Sequence, residues 1–145
     1  MEPGSTSPFG GSEIIITDRR WRAHVRDVAR LVQRALSAAE CGASVVLTDD
    51  LTVKRLNHRD RGKNKPTNVL TYEHPAEMLL AFGVVSREAA REGKSIARHL
   101  THLLVHGALH LHGFEHGHPG DAQEMENTET RILARLGVPN PWKNR

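Results

Sequence analysis

Between His106 and His116 the chain reads His-Gly-Ala-Leu-His-Leu-His-Gly-Phe-Glu-His, a spacing of H-x-x-x-H-x-x-G-x-x-H. Two histidines four apart on a helix stand one above the other, roughly 6 Å apart, so both imidazoles reach one ion. Gly113 ends the helix and lets the chain reverse, which brings His116 back as a third ligand. Three neutral imidazoles with a fourth position open are the donor set of a catalytic zinc site rather than a structural one. In zinc peptidases of this spacing a glutamate follows the first histidine and serves as general base. Here that residue is Gly107. The spacing therefore predicts a metal site on His106, His110 and His116 without the peptidase base.

Seven of the ten histidines lie between His99 and His118, and His99, His102, His106 and His110 share one stripe of a helix. They cannot all hold one ion, because His102 and His110 are about 12 Å apart along the axis. The pair His102 and His106 has no third partner nearby in sequence. His112 and His118 read as supporting or solvated residues, and His24 and His74 carry no signal. Glu115 precedes the third ligand; it either moves a proton and orients a ligand, or is a solvated turn residue.

Residues 58–65 place Arg59, Arg61, Lys63 and Lys65 within eight positions. A guanidinium beside a metal suits a phosphodiester, since it grips two oxygens of the developing dianion. Without the metal motif such a run is a solvated loop. Arg19, Arg22, Arg26, Arg30 and Arg34 form a second stripe, which either docks on RNA phosphates or is the exposed face of a core helix. No Gly-rich phosphate loop is present, and 4% aromatic residues is too few for a base-stacking platform.

The elements that must position these groups follow from periodicity. Residues 13–17 form a β-branched strand, and Asp18 caps a helix over 19–39 with Trp21, Val25, Val28, Val32 and Leu36 on one face. A strand over 44–47, a short helix from Asp49 or Asp50 to Leu56 and a polar loop over 58–68 come next. Two strands follow, over 69–72 and within 78–85, then a short helix over 86–91. Ser95 caps a long helix over 96–112, and Asp121 with Glu124 opens a last helix ending near Leu136. The order β-α-β-α-β-β-α-α, with the short helix over 86–91 in addition, predicts a small α/β (α+β type) domain: a mixed sheet of about four strands packed with about five helices.

With 145 residues the chain has room for one domain, over residues 13–145, behind a disordered Gly-, Ser- and Pro-rich lead-in over residues 1–12. A pI of about 9.4 and a formal charge of +3 mildly favour an acidic partner. Cys41 is the only cysteine, so no disulfide partner is expected within the chain. No apolar run reaches membrane-spanning length and no export signal is visible, which predicts a cytoplasmic protein without a membrane partner.

The histidine block resembles the H-G-x-L-H-L-x-G-Y-D-H signature of the YbeY family of bacterial zinc-dependent endoribonucleases. Residues 56–72, with Arg61-Gly62-Lys63-Asn64-Lys65-Pro66-Thr67-Asn68, are similar to the family's L-N-x-x-Y-R-G-K-D-K-P-T-D-V-L-S-F. The ending, with Glu126, Glu129, Thr130 and Arg131, is in keeping, so the resemblance runs over residues 13–141. Glu115 replaces an aspartate, Asp60 replaces an aromatic, and the stretch over 72–77 is shorter than usual. The resemblance implies one Zn2+ per chain on His106, His110 and His116, with Arg61 as the functionally important arginine. It implies single-stranded RNA as substrate, with rRNA and the ribosomal small subunit as partners and a role in rRNA maturation near the small-subunit 3′ end and in ribosome quality control. Arg61 and Glu115 are the candidate catalytic residues, and Arg61, Lys63 and Lys65 the candidates for holding substrate. The alternatives are a zinc metallopeptidase, disfavoured by Gly107, and a non-enzymatic, zinc-containing ribosome-associated protein.

Overall fold

A four-stranded mixed sheet in the order β1-β2-β4-β3 organises the chain. The computed structural model describes residues 13–114 and 119–139. Residues 1–12, residues 115–118 with Glu115 and His116, and residues 140–145 lie outside these. Strands β1 (Ile14–Ile16), β2 (Ser44–Thr48) and β4 (Ala76–Ala81) run parallel, and β3 (Val69–Glu73) pairs antiparallel with β4 at the edge. Side chains alternate across a strand. Val45, Leu47, Met78 and Leu80 therefore enter the main core, while Leu70, Leu79 and Ala81 face a smaller cluster with Val53.

Six helices are described: α1 (Arg20–His24), α2 (Val28–Ala38), α3 (Asp50–Arg61), α4 (Phe82–Arg91), α5 (Ile96–Leu111) and α6 (Pro119–Arg135). The expected helix over 19–39 is two helices. The chain turns extended at Val25 and left-handed at Asp27 (φ 51°) before α2 begins. Val25 and Val28 are buried on either side of this break, so the apolar period runs straight through it. Trp21 anchors the first piece: its indole N–H donates to the Thr48 carbonyl at 3.0 Å, and its ring meets Phe82 edge-on at 5.1 Å.

Helix α3 starts where Asp49 accepts a hydrogen bond from the Thr52 N–H at 2.7 Å, a side-chain N-cap. It runs to Arg61, past the expected end at Leu56, and stops at Gly62, whose φ of 70° is the left-handed C-cap conformation. Ser95 caps α5 in the same way, accepting from the Arg98 N–H at 3.1 Å.

Helix α5 lies against the sheet through Gly107. A Cβ built there would stand 2.7 Å from the Met78 sulfur and 3.6 Å from a Thr71 methyl. Met78 is fully buried, so the glycine sets how closely α5 approaches β3 and β4. Helix α6 packs across α5 with Met125, Ile132 and Leu133 inward, and Glu129 lies on that same buried face.

Candidate metal centre and phosphodiester cleft

His106 and His110 meet at their ring tips: the two Nε2 atoms are 3.1 Å apart. Two nitrogens on one tetrahedral ion, with bonds of about 2.0–2.1 Å, are separated by roughly 3.3 Å. Helix periodicity alone would leave the rings merely adjacent; here the donor atoms already converge.

The other ring nitrogen of His106 is held by Glu129, whose Oε2 lies 2.8 Å from Nδ1. Glu129 is fully buried on α6 and its Oε1 also faces His102 Nε2 at 3.4 Å. Burial pushes the Glu129 pKa up, but hydrogen bonds from His102 and His106 outweigh it and bring the value down to about 2. The group is a carboxylate at neutral pH, so Nδ1 of His106 is the protonated nitrogen. Nε2 then carries the lone pair, on the side facing His110. A carboxylate behind a histidine in this way fixes tautomer and ring orientation for metal binding.

Sequence reasoning found no third partner for His102 and His106, and Glu129 is that partner. Donor atoms of His102, His106 and Glu129 lie within 4.8 Å of one another, close enough to hold a metal ion. The signal for Glu129 was available: it occupies a position whose neighbours one turn away, Met125 and Leu133, are buried apolar residues.

His106 and His110 line a cleft of about 640 Å³ with Arg61, Thr71, Tyr72 and Phe114. Arg61 is the last residue of α3, and its Nη2 donates to the Thr71 carbonyl on the edge strand β3. Its guanidinium carbon sits 5.4 Å from the centre of the Tyr72 ring. Asp60, the residue before Arg61 in the chain, accepts from Arg59 Nε at 2.7 Å and from the Tyr72 hydroxyl at 2.6 Å. These two hydrogen bonds bring the Asp60 pKa down to about 2. Among the described residues Arg61 thus has one backbone acceptor and an aromatic face, which leaves N–H groups for a ligand.

Lys63 and Lys65 are exposed and do not line this cleft. Their loop is pinned by the buried Asn57, which donates from Nδ2 to the Lys65 carbonyl at 2.9 Å and accepts from the Lys63 N–H at 3.2 Å. His112, read as supporting or solvated, bonds through Nε2 to the Ala39 carbonyl at 2.9 Å and ties the end of α5 to α2.

An endoribonuclease family fits this combination, and comparison with known proteins agrees. The family profile described as Endoribonuclease YbeY matches residues 11–137. The Endoribonuclease YbeY of Gluconobacter oxydans is 49% identical, over 99% of this chain and 93% of that protein. That of Chelativorans sp. is 40% identical over 98% and 99%. A protein of Thermotoga maritima with a known solution structure shares the fold, with a TM-score of 0.59 at 18% identity over 92% and 99% of the two chains. The chain belongs to the endoribonuclease YbeY family.

Proposed function

We propose that this protein is a single-strand-specific, metal-dependent endoribonuclease of rRNA maturation, acting near the small-subunit rRNA 3′ end and in ribosome quality control in the cytoplasm. Its catalytic domain is taken to span residues 13–145. The observation that carries the reading is the convergence of the His106 and His110 Nε2 atoms, 3.1 Å apart, in one cleft with the Arg61 guanidinium.

His106 and His110, with His116 from the following turn, are the residues that would hold one Zn2+. The alternative set of His102, His106 and Glu129 is less suited to catalysis, because neither His102 nor Glu129 lines the cleft. A zinc ion bound there supplies a Lewis acid that polarises a phosphoryl oxygen or lowers the pKa of a water. Glu129 keeps His106 in the tautomer whose lone pair is at Nε2. Arg61, oriented by the Thr71 carbonyl and the Tyr72 ring, grips phosphoryl oxygens and stabilises the dianion that develops as the phosphodiester breaks. Glu115 is assigned the proton transfer, and Lys63 and Lys65 hold the RNA backbone beyond the cleft. A peptidase base has no place at position 107, since any side chain there would meet Met78.

The test is cleavage of unstructured RNA and of casein by the purified protein, each with and without chelator. Chelator-sensitive cleavage of RNA alone is the expected result. Proteolysis, or metal-dependent melting without turnover of RNA, would overturn the proposal.

A further inference from the structure

A second cleft, of about 400 Å³, is edged by Arg26, Arg30 and Arg34 and floored by Leu31, Thr101 and Leu136. It shares no residue with the cleft that holds His106 and Arg61. Thr101 precedes His106 on α5 by five residues, which is about 7.5 Å along the axis and roughly 140° around it. The two clefts therefore open on different faces of the same helix.

A row of arginines on a helix is ordinarily a solvated face. The setting of this row differs from that case. Three arginines elsewhere are paired with carboxylates, Arg20 with Asp18 at 2.6 Å, Arg59 with Asp60 at 2.7 Å and Arg87 with Asp50 at 3.1 Å. Among the described residues, Arg26, Arg30 and Arg34 have no ion pair, and Asp27 is the only carboxylate lining their cleft. Moreover, the three side chains edge a concave surface instead of standing on a convex one. Arg30 and Arg34 are a turn apart on α2, about 6 Å along its axis, and Arg26 lies in the link just before that helix.

We infer that this cleft is a second RNA site, which holds the phosphate backbone of the substrate outside the catalytic cleft. The inference rests on the reading of the chain as an RNA-cleaving enzyme. The chemistry specifies phosphate and not base. Guanidinium forks match phosphodiester oxygens. Among the described residues no aromatic ring lines the cleft to stack a base, and Thr101 already donates its hydroxyl to the Ala97 carbonyl at 2.8 Å. Contacts of this kind fix register and affinity without reading sequence.

The test compares the intact chain with an Arg26→Gln, Arg30→Gln, Arg34→Gln variant. All three positions are exposed, and equal melting temperatures check the fold. Binding to a long unstructured RNA is measured under chelator across a salt series. Loss of three phosphate contacts should lower the salt slope by about 2, since each contact contributes about 0.7 on a single strand. At about 0.15 M salt that amounts to binding weaker by about 50-fold. Cleavage of an oligonucleotide just long enough to fill the catalytic cleft should be unchanged in the variant. Arg30→Gln alone should lower the slope by about 0.7. A control variant, Arg55→Gln, Arg91→Gln and Arg135→Gln, removes equal charge from other exposed positions and should leave the slope intact. An unchanged slope in the Arg26, Arg30, Arg34 variant overturns the inference. So does an equal fall in the control, which would mean that net charge alone matters. Inorganic phosphate raising the melting temperature of the intact chain only, with the RNA slope unchanged, would make this a free-phosphate site and also overturns it. If the intact chain cleaves no RNA, the functional proposal fails, while the salt slopes still decide whether this face binds RNA.

Discussion

Glu129 on α6 reaches across to α5 and accepts the Nδ1 proton of His106 at 2.8 Å, from a position with no solvent exposure. The consequence is a histidine whose lone-pair nitrogen, the one turned to His110, is fixed by the protein itself. Replacing Glu129 by Gln keeps the shape and removes the charge. Metal affinity should then fall by about 10–100-fold, as for other carboxylates behind ligand histidines. Competition against a chelating dye measures it. An unchanged affinity would show that Glu129 is merely a buried carboxylate.

The two possible ligand sets make opposite demands on His102 and His110. His110→Ala should abolish stoichiometric binding, because His110 supplies the second converging nitrogen. His102→Ala should retain one full equivalent by elemental analysis. The reverse pattern would move the ion to His102, His106 and Glu129.

Gly107 carries a structural load besides its bearing on the reaction. Gly107→Ala forces a methyl group toward the Met78 sulfur and should destabilise the fold by about 1–3 kcal/mol, the usual range for overpacking. Urea unfolding checks this. Stability at or above that of the intact chain would mean that α5 is free to lift off the sheet.

His99 gives the fold an acid-sensitive point. Burial holds its pKa below the ordinary 6.5, although the carboxylate of Glu88 at 2.7 Å favours the charged form. Its Nδ1 is buried without a hydrogen-bond partner, so a second ring proton would have nowhere to go. The folded state therefore binds fewer protons than the unfolded one. Its contribution to stability is present above pH 6.5 and is lost as pH falls from there through the depressed folded value. Stability of His99→Gln should fall less steeply over that window. Identical slopes in the two proteins would remove His99 from the acid response.

The chemistry of this chain was legible where residue type and spacing suffice. The succession of the four strands, their mixed sheet and the His106 and His110 pair could all be read from sequence pattern and spacing. Other features depend on contacts between elements distant in sequence. The break between α1 and α2 leaves the apolar period intact, so no spacing marks it. Helix α3 runs five residues past Leu56, where the apolar period stops because from Asn57 to Arg61 only Asn57 is buried. The start of α4 at Phe82 lies inside an unbroken apolar run, where strand and helix look alike. Glu129 matters only because α6 crosses α5. The hydrogen bond that Asp60 accepts from the Tyr72 hydroxyl comes from β3, twelve residues on, and no spacing marks it. His116 and Glu115 lie outside the described residues, so their roles rest on the sequence motif.

The most direct test is the rate of cleavage of unstructured RNA by the metal-loaded protein, beside Arg61→Ala and Arg61→Lys carrying the same measured metal. Arg61→Ala should lose about 10²–10³ in rate, the usual cost of removing a donor aimed at developing charge. Arg61→Lys should also be impaired, because an ammonium lacks the fork that grips two oxygens. Full activity of Arg61→Ala with one equivalent of metal bound would contradict the account, since the cleft would then break phosphodiesters without the arginine that lines it beside His106 and His110.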